Sequence, residues 1–240
     1  MAKRTRLRRT VLITVMVVIG LYLWWFYPWF YMAEDIEGWV VDAHSGEPIE
    51  GVVVTANWEL KRGTLGGDIP CGQAYVDEAV TDSVGHFYFA RWGPKVRPIG
   101  CEIVFQDPQL LLFKSGYRFL RLQNAVRSVW NRGVVRRSQW NGKTVQLDLF
   151  DGTIAAYEDN FESFNRELEG ITILQPEECF WRKLPKAIHA VHQERNRLIQ
   201  KGVPSNTLYS VDSELLINHA YYTKKGGCGS PKEFFEELWR

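Results

Sequence analysis

The chain of 240 residues lacks most of the short signatures that announce chemistry. It has no G-x-S-x-G elbow, no phosphate-cradling loop and no dinucleotide fingerprint, so the familiar marks of acyl transfer, nucleotide hydrolysis and hydride transfer are absent. It has no C-x-x-C pair, which argues against a zinc ribbon, and no H-E-x-x-H, which removes the usual metalloprotease helix. It has no N-x-Ser/Thr sequon, which favours a bacterial envelope over a eukaryotic secretory route. Charge is missing in two places. No charged residue stands between Arg9 and Glu34, and no acid stands between Gln109 and Leu147.

The first gap defines the start of the chain. Lys3, Arg4, Arg6, Arg8 and Arg9 precede an apolar run from Val11 to Met32, and Glu34, Asp35 and Glu37 follow. A helix needs roughly 20 apolar residues to cross a ~30 Å hydrocarbon layer. Residues 11–32 are therefore expected to form a transmembrane helix, with residues 1–10 as a cytoplasmic basic arm and the remainder exported. A cleaved signal peptide fits less well. Tyr31-Met32-Ala33 places a bulky Tyr at the outer small position, and Val18-Ile19-Gly20 would leave a mature end beginning Leu21-Tyr22-Leu23-Trp24-Trp25. Trp24, Trp25, Tyr27, Trp29 and Tyr31 suit an interfacial aromatic belt.

Twenty-nine basic against 28 acidic residues give a net charge of +1. Without the basic arm the exported part is mildly acidic, so no nucleic-acid partner is expected. Cys71, Cys101, Cys179 and Cys228 all lie in the exported part. An even number in an oxidising compartment favours two disulfides. Of three pairings, Cys71–Cys101 and Cys179–Cys228 each stay within one expected domain, and each would contribute about 3–4 kcal/mol by loop closure.

Residues 35–150 carry strand patterning. Val52, Val54, Ala56 and Trp58 alternate with Val53, Thr55 and Asn57, which predicts one buried face. Ile36–Val41 precedes them across the turn formers Asp42-Ala43-His44-Ser45-Gly46-Glu47-Pro48, read as a hairpin turn. Ala79-Val80-Thr81, Asp82-Ser83-Val84-Gly85 and His86-Phe87-Tyr88-Phe89 predict a second hairpin, with Gly85 at positive φ. Val145, Leu147 and Leu149 supply a last strand. Many short strands separated by turns argue a mainly β sandwich.

Ile36-Glu37-Gly38-Trp39-Val40-Val41-Asp42, Ser45-Gly46-Glu47-Pro48-Ile49-Glu50-Gly51-Val52-Val53-Val54 and Thr81-Asp82-Ser83-Val84-Gly85-His86-Phe87-Tyr88-Phe89 resemble the carboxypeptidase regulatory-like domain. Lys114-Ser115-Gly116-Tyr117 is similar to its later Gly-Tyr element. The resemblance covers residues 34–150 and implies a transthyretin-like (prealbumin-type) β-sandwich of about seven strands. It implies an accessory, non-catalytic module and says little of function. Two inserts depart from the family pattern, at residues 59–73 and 118–141.

Residues 151–240 change period. Ile154, Tyr157, Phe161, Phe164 and Leu168 recur at helical spacing, as do Leu184, Ile188, Val191, Leu198 and Ile199. Ser230-Pro231-Lys232-Glu233 is a capping box before Phe234, Phe235 and Leu238. This region is expected to be a small helical cap, packed on the sandwich or on itself.

Four constellations bear on chemistry. His44-Ser45-Gly46-Glu47 has H-x-x-E spacing but lies in a turn. His189 and His192 share a helical face with Glu194 nearby, yet lack a third ligand. Cys71 with His86 would need a free, low-pKa thiol, which an oxidising compartment disfavours. The second charge gap holds Lys114, Arg118, Arg121, Arg127, Arg132, Arg136, Arg137 and Lys143, with Trp130 and Trp140 between them. Arg118, Arg121, Arg127, Arg132, Arg136, Arg137 and Trp130 are the candidate surface for an anionic lipid, glycan or acidic protein partner. The other reading pairs these cations with Asp151, Glu158, Asp159, Glu162, Glu167, Glu169, Glu177 and Glu178 of the following segment.

The sequence therefore predicts a protein of the bacterial inner membrane, single-pass with its N-terminus inside. Its exported binding or scaffolding sandwich would face the periplasm or the outside of the cell. No catalytic residue, metal or cofactor is assigned. The alternatives are a metal-dependent envelope hydrolase using His189 and His192, and a periplasmic immunity-type protein.

Overall fold

The computed structural model describes residues 2–26, 29–104, 106–125 and 134–239. It opens with helix α1 (Ala2–Phe26), which takes in the basic arm as well as the apolar run. The described side chains of α1 are Arg9 and those from Val11 to Tyr22, and every one is exposed, Leu12 by 69% and Leu21 by 63%. Among the described residues no helix is long and apolar enough to cross a membrane; the stretch from Val11 to Tyr22 covers only ~18 Å of helix.

The helix ends at Phe26 rather than at the expected Met32, because the chain after it is recruited into a sheet. Phe30–Ala33 form β1, which pairs antiparallel with β6 (Trp92–Val96) and parallel with β10 (Val135–Arg136). Tyr31 is a core residue and not part of an aromatic belt. It is 2% exposed, and the guanidinium groups of Arg136 and Arg97 lie 4.8 and 5.7 Å from its ring centre.

A second three-stranded sheet has the order β11 (Lys143–Leu147), β2 (Ile36–Asp42), β5 (His86–Phe89), with β2 and β11 parallel. The third sheet runs β4 (Gly67–Val80), β3 (Val53–Thr64), β8 (Gln109–Phe113), β9 (Leu120–Leu122), with β7 (Glu102–Ile103) also on β3. The two expected hairpins are instead links between sheets. After Asp42 the chain folds back for one bridge, Val41 to Pro48, then crosses to β3. The 82–85 turn carries β4 of one sheet into β5 of the other. Gly85 has the expected positive φ, +74°, and a Cβ there would lie 2.4 Å from the Val40 carbonyl oxygen. Only glycine fits so close to that backbone.

β3 corrects the expectation of one buried face. Val54, Ala56, Trp58 and Leu60 face the sandwich core, yet Val53, Thr55 and Asn57 are buried as well, at 8, 0 and 3% exposure. The helices cover that second face. β8 is likewise buried at all five positions, with Leu110 and Leu112 in the sandwich core and Leu111 and Phe113 under the helices. A continuous apolar run is what a strand between two layers requires. Leu149 is 57% exposed and lies outside β11, because the strand ends at Leu147.

The helical layer comprises α2 (Ile154–Thr172), α3 (Pro185–Gln200), α4 (Val211–Ile217), α5 (His219–Gly226) and α6 (Pro231–Leu238). The spacing read from the sequence is the buried stripe of α2: Tyr157, Phe161, Phe164 and Leu168 are all buried. Phe113 of β8 stacks on Phe164 with ring centres 4.4 Å apart, which joins sheet to helix. The Ser230 hydroxyl accepts from the Glu233 amide at 3.4 Å and caps α6. Two disulfides are present, Cys71–Cys101 and Cys179–Cys228, each with a Cα separation of 6.3 Å. The first ties the distal part of the β3–β4 hairpin to the segment before β7. The second ties the turns before α3 to the α5–α6 loop. Such bridges persist in an oxidising environment.

Candidate functional site

A concavity of about 630 Å³ lies between the five-stranded sheet and α3. α3 presents one face to the helical core and another to this cleft. Ala187, Ile188, Val191 and Leu198 face the helical core. Lys186, His189, Gln193 and Arg197, spaced by three or four residues, line the cleft instead. Val53, Val80 and Phe113 form an apolar wall on the sheet side, and Lys114 adds a third cation beside Lys186 and Arg197.

The start of α3 is held by a residue of the sheet. The Glu78 carboxylate on β4 accepts from the Lys186 and Ala187 amides at 2.7 and 2.8 Å. These are two of the unsatisfied N–H groups of the first turn, and α3 has no capping side chain of its own at Leu184. Burial raises the Glu78 pKa, and the two amides pull against that shift.

Deeper in the cleft, Glu194 is 2% exposed. Arg197 Nε donates to both of its carboxylate oxygens at 2.9 and 3.0 Å. The buried acid is thereby neutralised, and its hydrogen bonds raise the Arg197 pKa. Gln193 Nε2 lies 2.8 Å from His189 Nε2, while His189 Nδ1 is buried with no hydrogen-bond partner among the described residues. Burial and then the nearby His192 lower the His189 pKa.

The two histidines do not form a metal pair. His192 Nδ1 lies 2.9 Å from Asp212 Oδ2 and its Nε2 lies 3.0 Å from Asn196 Nδ2, so both ring nitrogens are engaged. Its ring stacks on Trp239 at 4.1 Å. Asp212 is 1% exposed and also accepts from the Ser210 hydroxyl. Ser210 thus bonds the acid rather than the imidazole, which is a helix-joining network and not a nucleophile–base pair. Among the described residues, no three His, Cys, Asp or Glu side chains converge to hold a metal. Cys71 is disulfide-bonded, so it is no nucleophile for His86. His44 and Ser45 donate their amides to Asp42 at 2.9 and 2.8 Å, which makes that turn structural. The same bonds lower the Asp42 pKa.

The arginines of the basic segment are distributed over different elements. Arg121 on β9 pairs with Glu167 of α2 at 2.6 Å. Arg118 lies over the Phe150 ring and donates to the Asp151 carbonyl at 3.4 Å. Arg137 pairs with Glu34 at 2.7 Å. Arg136 is 4% exposed beside Tyr31, which corrects its placement on a surface; its burial lowers its pKa, and the interaction with Tyr31 pulls against that shift. Arg127, Arg132 and Trp130 lie outside the described residues. The sequence singles out His189, Glu194 and Lys114 separately but not the cleft they share. Lys186, Gln193 and Arg197 were legible as one helical face, but their opposite wall comes from strands more than 70 residues earlier.

No protein-family model matches the chain, and no curated protein matches it. Among solved structures, 3-chlorocatechol 1,2-dioxygenase from Rhodococcus opacus 1CP is 15% identical over 50% of this chain and 61% of its own, with a TM-score of 0.27. The chain thus spans about three-fifths of that enzyme. The dioxygenase domain of a dioxygenase–carbohydrate-binding fusion from Streptomyces sp. SirexAA-E is 15% identical over 53% of this chain and 84% of that one, also at 0.27. A 9R-lipoxygenase from Cyanothece PCC8801 is 12% identical over 83% and 29%, at 0.24. At these TM-scores none bears on the function of this chain.

Proposed function

We propose that the chain is a membrane-tethered binding module of the bacterial envelope. α1 is its single-pass anchor and the body is a transthyretin-like sandwich of the carboxypeptidase regulatory-like kind, outside the cytoplasm. The observation that carries the reading is the contrast between α1 and everything after it. From Val11 to Tyr22 the apolar side chains of α1 all stand exposed, while the body buries its own in two cores. An all-round apolar helix behind a basic arm is at home in lipid and costly in water. In sequence the uncharged run continues beyond the described side chains, to Ala33. The two disulfides favour the same side of the membrane.

In this reading the cleft between α3 and the sheet is the binding site. Its wall of Val53, Val80 and Phe113 with Lys114 and Lys186 at the rim suits an apolar ligand bearing one anionic group. The tether raises the concentration of the module beside whatever the membrane supplies. Alkaline carbonate extraction of membranes from expressing cells tests the anchor. The chain is expected in the pellet with integral proteins, and its release into the supernatant refutes the tether.

A further inference from the structure

We propose that the end of the sandwich carrying Val96 and Ile99 lies against the same bilayer that holds α1, so that the body is docked on the lipid surface and not held away from it. The proposal rests on the anchor reading above and adds an orientation to it. From Val11 to Phe26 the helix is about 24 Å long at ~1.5 Å per residue, short of a ~30 Å hydrocarbon layer. Beyond Phe26 the sequence carries no charge until Glu34. β1 starts at Phe30, which four residues of chain keep within ~14 Å of Phe26. Three residues of sequence stand between α1 and β1.

That short reach fixes what else meets the lipid. Phe30 pairs with Val96 on β6, and the Arg97 amide donates to the Trp29 carbonyl at 2.8 Å. Trp29, Phe30, Val96 and Ile99 are 43, 46, 72 and 90% exposed. The loop bearing Ile99 is held in place. Arg97 Nε donates to the Cys101 carbonyl at 3.1 Å, and Cys101 is bridged to Cys71. The acid of this region, Glu102, is paired with Arg97 at 3.3 Å. Scattered exposed apolar residues are ordinary on a protein surface. Phe30 and Val96 on two paired strand ends, with Trp29 before the one and Ile99 in the loop after the other, form a surface suited to the interfacial layer at the exit of an apolar helix. The opposite end of the sandwich lies at the other end of β2, where Val84 and Leu149 are exposed at the turns.

The test uses the full chain reconstituted in vesicles of phosphatidylethanolamine and phosphatidylglycerol, with a photoreactive benzophenone side chain at one of four positions. After irradiation, mass spectrometry counts lipid adducts. The expected result is adducts at positions 96 and 99 and none above background at 84 and 149. Equal labelling at all four positions, or none at 96 and 99, overturns the docking. Carbonate extraction of the same vesicles separates the two ideas. A chain that stays in the pellet without adducts at 96 and 99 keeps its anchor and loses the orientation, whereas a chain that is released loses both.

Discussion

Replacing Glu78 by Ala should loosen the helical layer from the sheet, and the size of the effect follows from two hydrogen bonds. The carboxylate takes the Lys186 and Ala187 amides at 2.7 and 2.8 Å from a strand 108 residues away. Loss of a capping group costs about 0.5–2 kcal/mol, and a hydrogen bond to a charged group contributes ~1.5–3 kcal/mol when shielded from water. Glu78 is half-buried, so the upper part of that range does not apply. A loss of about 2 kcal/mol is expected, or a fall in Tm of ~4–8 °C for a body of this size. Glu78→Gln keeps one acceptor and should lose about half as much. Glu47→Ala, at an exposed turn position, should stay within ~0.5 kcal/mol of the parent. Denaturant melts followed by circular dichroism give the values, and hydrogen exchange at Lys186 and Ala187 locates the effect. If Glu78→Ala melts like Glu47→Ala, the remote cap does not hold α3.

Other outcomes follow from the same geometry. Replacing Cys179 and Cys228 by Ser opens a loop of 49 residues and should cost about 4 kcal/mol, against about 3.5 for the 30-residue loop of Cys71 and Cys101, measured in urea. Phe113→Ala removes the ring stacked on Phe164 and should cost about 3–5 kcal/mol in the same assay. Arg121→Ala breaks a half-exposed pair with Glu167 and should change stability by less than ~1 kcal/mol, an effect that salt removes. His189 has a folded pKa below the ordinary 6.5, so the unfolded chain takes up its proton first as pH falls. Its contribution is complete above 6.5 and is lost as pH drops toward the lowered folded value, so His189→Gln should flatten that part of the stability–pH curve. Lys114→Glu with Lys186→Glu should weaken binding of a fluorescent fatty acid at the cleft while leaving the circular dichroism spectrum unchanged.

The parts of the fold that rest on local rules could be read from the residues. Gly85 had to turn where it does, α2 shows its buried stripe at Tyr157, Phe161, Phe164 and Leu168, and Ser230 caps α6 as its neighbours imply. Each cystine closes within one stretch of the chain, which made its pairing legible. The misreadings share one cause: they depend on what comes to lie opposite. Thr55 and Asn57 look like the solvated face of β3 until helices more than 90 residues later cover them. Tyr31 looks like a belt residue until β6 and β10 pair with its strand. The links after Asp42 and Asp82 look like hairpins because turn chemistry is the same whether the next strand joins the same sheet or the facing one. The cleft follows the same logic, since one of its walls is a helical face and the other is assembled only by the fold.

The most direct test of the account is the side of the membrane on which the body folds. Protease added to intact spheroplasts expressing a C-terminally tagged chain is expected to destroy the tag while a cytoplasmic marker survives. A tag that persists until the cells are lysed would place the sandwich, both disulfides and the cleft inside the cytoplasm, and would contradict the account.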